Sequence, residues 1–369
     1  MNRAWRWSAA LLLASAGCRA SRGANVADCV PVPPDTAYRY TDAEVPLPRH
    51  LLSSIAGTVV FSDNTPPDNR VTNAGAALGR ILFYDVRLSA NNQVACASCH
   101  RQQFGFGDTA RFSRGLHGQH PRRRTLALAN LRFNAYGQFF WDQRAPSLEA
   151  QILDVLQDSV EMGMNLDTLE ARLAHTPYYP ALFAAAFGSA DVTRDGMARA
   201  LAQFARSLIS ARSRFDAVFA TGGAPDFSRL TPTEQQGYQL FVTSGCVNCH
   251  RAILQFADRA NNIGLDLQPA DTGAGHGRFR PASLRNVAVR PPYMHDGRFR
   301  TLRDVVRFYS TGVQESPDLD PRLRDDAGHP RRLNLTDTQV DQLVAFLETL
   351  TDTTFLHDPR FGNPFGCGR

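Results

Sequence analysis

Lysine is absent from this 369-residue chain, and all 40 of its basic residues are arginine. Lysine Schiff-base chemistry and the lysine of a phosphate-binding loop are thereby excluded, and a biased genome composition is the simplest account of the arginine excess. Net charge is also small. The formal balance of +5 points to neither nucleic acid nor an acidic membrane as partner. After the N-terminus, no apolar run approaches the roughly 20 residues that cross a bilayer. Strand signals are short and scattered, and helical periodicity dominates, so the expected fold class is all-α. Cysteine is sparse, at seven residues, but four of these stand in a pattern that carries chemistry.

Cys96-Ala97-Ser98-Cys99-His100 and Cys246-Val247-Asn248-Cys249-His250 are two complete C-x-x-C-H pentapeptides, the attachment signature of c-type haem. Two thiols about one helical turn apart reach the two vinyl groups of one porphyrin, and the adjoining imidazole is carried under the iron as an axial ligand. The competing readings are a zinc site and a thioredoxin-like pair. Zinc would need more ligands at finger spacing, and the redox pair would follow a strand in a βαβ unit; neither pattern is present. Two covalently bound c-type haems are therefore expected, one on Cys96, Cys99 and His100, the other on Cys246, Cys249 and His250.

Haem attachment suits an exported protein, and the N-terminus has the form of an export signal: Met1-Asn2-Arg3-Ala4-Trp5-Arg6, an apolar stretch from Trp7 to Ala16, then Gly17-Cys18. The small residues before Cys18 resemble a lipoprotein cleavage box, although Ser15 stands where an aliphatic residue is usual. A lipid anchor on Cys18 and simple cleavage nearby are both open, and the periplasm is the expected location. Cys29 and Cys367 remain at opposite ends of the mature chain, where a disulfide is one reading and two buried thiols the other. The length suits two domains. Gly79-Arg80-Ile81-Leu82-Phe83 before the first motif and Gly237-Tyr238-Gln239-Leu240-Phe241 before the second resemble each other, as in a diverged duplication. Both approaches read as helices, the second opened by Thr231, Pro232 and Glu234. Thr336 and Gln339 start a closing helix with Val340, Leu343, Val344, Leu347 and Leu350 at helical spacing. A helical stretch is expected over 197–219, followed by the linker Gly222-Gly223-Ala224-Pro225.

Five further phrases lie between and after the haem motifs: Phe140-Trp141-Asp142-Gln143-Arg144-Ala145, Val160-Glu161-Met162-Gly163, Pro281-Ala282-Ser283-Leu284-Arg285-Asn286, Pro292-Tyr293-Met294-His295-Asp296-Gly297 and Leu333-Asn334-Leu335-Thr336. With them, over about 74–365, the chain resembles the bacterial di-haem cytochrome c peroxidase and MauG family. The resemblance implies that the N-terminal haem, with His100 as proximal ligand, meets peroxide. The C-terminal haem, with His250, would exchange electrons with it and with the outside. Glu161 and Gln151 match the family's distal glutamate and glutamine, and desolvation in a haem pocket raises a glutamate pKa into a useful range. Trp141 falls at the family's tryptophan between the haems, where an indole relays electrons. His117 and His120 lie in the loop that carries a distal histidine in many family members. The glycine-histidine-glycine setting is absent, so both read as surface or propionate-facing residues and the reactive haem as open.

In the second half, Leu302, Val305, Val306 and Tyr309 form the buried stripe of a helix over 301–309. By the resemblance, Tyr309 stands where the peroxidases carry an axial methionine and MauG an axial tyrosine. A thioether holds haem at higher potential, whereas a phenolate stabilises oxidised iron. Met294 is the alternative ligand, and a core role the alternative for Tyr309. The family's inter-domain calcium is doubtful here. Arg124 replaces an asparagine that would supply a side-chain oxygen, Arg290 replaces a nearby threonine, and a guanidinium cannot ligate calcium. Either Arg124 replaces the ion's charge or the site is empty. Ser244 stands where MauG has the surface tryptophan that reaches its protein substrate.

The architecture so implied is all-α, with two cytochrome c-like haem domains and long irregular loops. A signal peptide would cover 1–17, an N-terminal extension 18–72, the peroxidatic haem domain 73–224 and the electron-transfer haem domain 225–369. The implied activity is reduction of hydrogen peroxide to water, with electrons passing from a small cytochrome or copper protein through the C-terminal to the N-terminal haem. One alternative is MauG-like oxidation of aromatic residues on a partner protein. Another is a non-catalytic di-haem electron carrier, against which Glu161 and Gln151 argue.

Overall fold

The computed structural model describes residues 29–52, 62–134, 136–221, 224–250 and 259–366. The export signal, Cys18, Gly222, Gly223 and Cys367 lie outside them. The helices are α1 (Arg49–Leu52), α2 (Asn73–Tyr84), α3 (Cys96–Cys99), α4 (Leu148–Gln157), α5 (Leu166–Ala174), α6 (Tyr179–Phe187), α7 (Arg194–Ser207), α8 (Arg214–Val218), α9 (Pro232–Thr243), α10 (Leu302–Arg307), α11 (Asp337–Glu348) and α12 (Thr353–His357). Long irregular loops join them. Strands β1 (Val30–Pro31) and β2 (Phe365–Gly366) pair antiparallel. No helix among the described residues is long and apolar enough to cross a membrane.

Local capping explains where the long helices begin. Thr72 accepts from Gly75 N–H, and Thr193 from Gly196 N–H. Thr231 with Glu234, and Thr336 with Gln339, form the reciprocal boxes expected from sequence, each satisfying amides that an open helix end leaves exposed.

The internal duplication is a repeated helix crossing. Helix α2 packs on α7 and α9 on α11, and both crossings pass through a glycine. A Cβ on Gly79 would lie 1.9 Å from the Ala200 carbonyl oxygen and 2.8 Å from Phe204 Cβ; one on Gly237 would lie 1.9 Å from the Gln342 carbonyl oxygen and 2.8 Å from Phe346 Cβ. Only a residue without a side chain permits such an approach. Gly79→Ala and Gly237→Ala are each expected to destabilise the protein by about 3 kcal/mol, measured by thermal melting; an unchanged melting temperature in both would contradict this packing. Behind each crossing, an asparagine in the left-handed conformation holds the chain: Asn130 (φ 63°) donates its N–H to Leu208 C=O at 2.8 Å, and Asn286 (φ 57°) to Leu350 C=O at 3.1 Å. Leu78, Leu82, Phe83, Phe106 and Phe204 anchor one core, and Phe215, Phe241, Phe346 and Leu350 another.

Two expected helices are interrupted. The stretch over 197–219 divides into α7 and α8. Asn130 exchanges hydrogen bonds with Ser210 N–H and C=O (both 2.8 Å), and Asp352 accepts from Arg212 N–H at 2.9 Å, so the intervening backbone is claimed by distant side chains. The helix over 301–309 is α-helical only to Arg307 and continues as a π turn, Phe308–Gly312. There Ser310 accepts from Leu333 N–H (2.9 Å) with its carbonyl and from Leu335 N–H (2.8 Å) with its hydroxyl.

The N-terminal extension lies across both cores. Tyr40 joins the first and donates to Arg360 C=O at 2.9 Å; Leu51 joins the second, next to buried His50, which meets Asp216 at 3.1 Å. Cys29 is disulfide-bonded. Its expected partner, Cys367, is outside the described residues, although β1 pairs Val30 with Gly366.

Candidate active site

The first haem motif forms the short helix α3, whose end is set by His100 N–H donating to Cys96 C=O at 2.9 Å. A tight turn with Gly105 at φ 64° brings the Phe106 carbonyl back to the His100 ring, 2.9 Å from Nδ1. A carbonyl only accepts, so Nδ1 carries the hydrogen and Nε2 keeps its lone pair, the arrangement expected of an iron ligand. Burial lowers the His100 pKa and so favours the neutral ring. Burial pushes the Cys96 thiol up to about 12 and the Cys99 thiol up to about 11.

Cys96, Cys99 and His100 line a cavity of about 470 Å³, and Gln151, Glu161 and Trp141 line it as well. The residues around this space fit a covalently held haem: two thiols and an oriented imidazole in a largely apolar wall. Among the described residues, His100 is the only histidine in the lining. His117 and His120 are both exposed, and His120 Nδ1 is turned to the Ser113 carbonyl at 2.9 Å. The loop that carries them is fastened to the Glu161 segment by Leu116 N–H donating to Val160 C=O at 2.8 Å.

Helix α4 presents Leu148, Gln151, Ile152 and Val155 to the cavity at helical spacing. Ser147 caps it, and Glu149 in its first turn forms an ion pair with Arg206, which is 1% exposed, at 2.5 Å. The chain then turns around the Asp158 carbonyl, which accepts from the N–H groups of Glu161 (3.1 Å), Met162 (3.0 Å) and Gly163 (2.7 Å). Glu161 is thus held by backbone on both sides. Burial, then the neighbouring Asp158 charge, push its carboxyl up to about 7, against an opposing pull from Arg144.

Trp141 sits in a loop closed by pairing of Phe139 with Ala145. Its indole N–H donates to Arg124 C=O at 2.6 Å, and its ring meets His295 edge to face at 6.4 Å. His295 stacks on Phe279 at 3.7 Å. In the second half the same loop recurs with Tyr293 paired to Phe299, and His295 stands where the first half has Trp141. Thr301 caps α10 as Ser147 caps α4. Val155 stands to Ser147 as Tyr309 stands to Thr301, so an apolar side chain faces the first cavity at the place where the second half has a phenol.

The second motif forms a tight turn over Cys246–Asn248, and burial pushes the Cys246 thiol up to about 11. Tyr309 is close enough to Cys246 and Cys249 for both to act on its phenol, whose pKa is raised first by burial and then by those two thiols. Met294 and Tyr309 pack on one apolar cluster with Phe308 and Val313.

A family model described as di-haem cytochrome c peroxidase matches residues 73–223. The chain is 32% identical over 334 residues to the cytochrome-c peroxidase IdrP1 of Denitromonas iodatirespirans, covering 79% of this chain and 86% of that protein. It is 34% identical over 300 residues to the methylamine utilization protein MauG of Methylorubrum extorquens, covering 77% and 80%. The chain belongs to the di-haem cytochrome c peroxidase and MauG family. It is an oxidoreductase of the peroxidase type. Among solved structures, a MauG-like protein associated with microbial copper homeostasis superposes with a TM-score of 0.71 at 31% identity, over 82% of this chain and 96% of that one. The diheme peroxidase BthA of Burkholderia thailandensis gives 0.65 at 26% identity, over 80% and 90%. The mostly helical fold is that of these di-haem proteins.

Sequence reasoning missed Val155, Arg280 and His295. Arg280 is 4% exposed, lines the cavity and donates its backbone N–H to Trp141 C=O at 2.8 Å. The counterpart of Trp141 could have been found by aligning the two halves on their loop-closing pairs, since His295 lies in a phrase that the resemblance already marks.

Proposed function

We propose that this protein is a periplasmic di-haem peroxidase that reduces hydrogen peroxide to water in the cavity above His100. The balance is one peroxide, two protons and two electrons to two waters, with the O–O bond broken. The two cytochrome c-like domains would be 73–224 and 225–369, behind a signal peptide over 1–17 that leaves Cys18 open to lipidation. Cys96 and Cys99 would hold the first haem by thioether bonds with His100 as the iron ligand, and Cys246, Cys249 and His250 the second. When bound, the haems supply redox-active iron that accepts and stores electrons.

The protein's own groups handle the protons. The Glu161 carboxylate would take a proton from one peroxide oxygen and return it to the other as the O–O bond breaks. Gln151, one wall away on α4, orients the peroxide through its amide. Trp141, fixed by its N–H bond to Arg124, lies on the route toward His295 and the second half, from which a small cytochrome or copper protein would deliver electrons. The observation that carries this reading is one cavity that holds His100, Glu161 and Gln151 and, among the described residues, no second histidine. Steady-state assay of the holoprotein with a reduced small cytochrome should consume two donor equivalents per peroxide. A holoprotein that binds both haems but consumes neither donor nor peroxide would contradict it.

One observation favours a second reading. Tyr309 lies near Cys246 and Cys249 at the place that Val155 takes in the first half, and a phenolate ligand would stabilise oxidised iron. Such a protein suits MauG-like chemistry, in which peroxide drives oxidation of aromatic residues on a partner protein. Ser244 at the second motif argues against the same partner surface.

A further inference from the structure

Residue 124 joins the two halves twice over. Through its backbone, Arg124 N–H donates to His295 C=O at 2.7 Å, and Arg124 C=O accepts the Trp141 indole N–H at 2.6 Å. Through its side chain, Nη2 donates to the carbonyl oxygens of Asp108, in the loop after the first haem motif, and of Arg290 (2.6 Å) in the second half. The residue is 3% exposed, and its Nε has no hydrogen-bond partner among the described residues.

The surroundings are too positive for a metal ion. Arg290, 4% exposed, lies beside Arg124 and donates to Ser283 C=O. Burial pulls both guanidinium groups down to about 10, helped at Arg290 by the neighbouring Arg124 charge. The nearby Asp108 carboxylate is already engaged by Arg101 and Ser113, each at 2.6 Å. Calcium needs six to eight oxygen ligands. Here two carbonyl oxygens that could serve it are taken by a guanidinium, and no cluster of three His, Cys, Asp or Glu among the described residues could hold a metal. The calcium that the family resemblance implies does not fit this junction.

We propose that Arg124 is itself the inter-domain cation of this protein, its guanidinium tying the Asp108 and Arg290 carbonyls in place of a metal ion and so positioning Trp141 and His295 for electron exchange between the haem sites. The functional half of this statement rests on the di-haem reading above; the calcium half does not. Arg124 is a positioning residue that acts through Trp141. A lysine would keep the charge but lose the planar guanidinium that holds Nη2 between the two carbonyls.

The test uses the holoprotein in three forms: wild type, Arg124→Gln and Arg124→Lys. Wild type is first melted in excess calcium chloride and in EGTA, and its calcium content is measured after dialysis. Equal melting temperatures and no retained calcium are expected. Stoichiometric calcium, or a melting temperature that rises with calcium, would overturn the proposal, because a ligand of the native state stabilises it. Electron transfer between the haems is then followed after flash reduction of one of them. Arg124→Gln should slow it by about tenfold or more, with partial recovery in Arg124→Lys and unchanged optical spectra of the separate haems. An unchanged rate in Arg124→Gln at normal haem content would overturn the positioning role. If that variant does not fold, the calcium comparison on wild type decides alone. Failure of the peroxidase reading would leave the calcium and melting results standing.

Discussion

Glu161→Gln is expected to slow the reaction of the oxidised holoprotein with peroxide by about 10²–10⁴-fold, while haem content and the overall fold stay unchanged. The amide is nearly isosteric, so it keeps the packing of the Asp158 turn, but it cannot accept the peroxide proton. The pH profile carries the sharper signature. The Glu161 carboxyl is pushed from its usual 4.5 up to about 7, by burial first and by Asp158 second, with Arg144 opposing. Only the ionised form accepts a proton, so the wild-type rate should climb as pH rises through about 7, and the variant should be flat there. Stability runs the other way. A carboxyl whose folded pKa is raised holds its proton more tightly when folded, so its contribution is full below the unfolded value and is lost as pH rises through about 7. At pH above 7 the variant should therefore melt no lower than wild type. Stopped-flow rates and calorimetry over pH 5 to 9 read both effects. A variant as fast as wild type would remove Glu161 from the mechanism.

Tyr309→Phe should change the C-terminal haem more than any other substitution outside the Cys246-Val247-Asn248-Cys249-His250 motif. Loss of a phenolate ligand would alter the optical and EPR spectra of that haem, and Tyr309→Met should raise its potential by a sizeable part of the roughly 0.8 V range that axial ligands span. Met294→Leu is the control, expected to leave spectra and potential unchanged, since Met294 shares the apolar cluster but not the place repeated from the first half. A spectrum that responds to Met294→Leu and ignores Tyr309→Phe would exchange the two roles.

The C-x-x-C-H motifs were legible because haem attachment is local chemistry, contained in five consecutive residues. The helix starts were legible for the same reason: Thr231 with Glu234 and Thr336 with Gln339 act across three residues. The break after Ser207 was not, because it is made by Asn130 and Asp352, which are remote in sequence. The π turn that carries Tyr309 likewise depends on Leu333 and Leu335 binding to Ser310. Gln151, Glu161 and Trp141 were named through a resemblance rather than by spacing, and nothing in their order says that they face one cavity. Arg124 was visible only through the resemblance, as a guanidinium where an asparagine is expected. Its partners are backbone carbonyls of Asp108 and Arg290, which sequence does not display. The equivalence of Val155 with Tyr309 required the two loop-closing pairs and the two capping residues to be superposed.

In the proposed reading the first haem site is open above His100, with Glu161 and Gln151 beside it. The most direct test is to mix fully oxidised holoprotein with one equivalent of hydrogen peroxide, with and without prior one-electron reduction, and to follow the optical and EPR spectra. The fully oxidised form is expected to react at once, without prior reduction. A protein that is silent until its C-terminal haem is reduced would contradict it, because a ligand must then close the site that Val155 and the absence of a second histidine leave open.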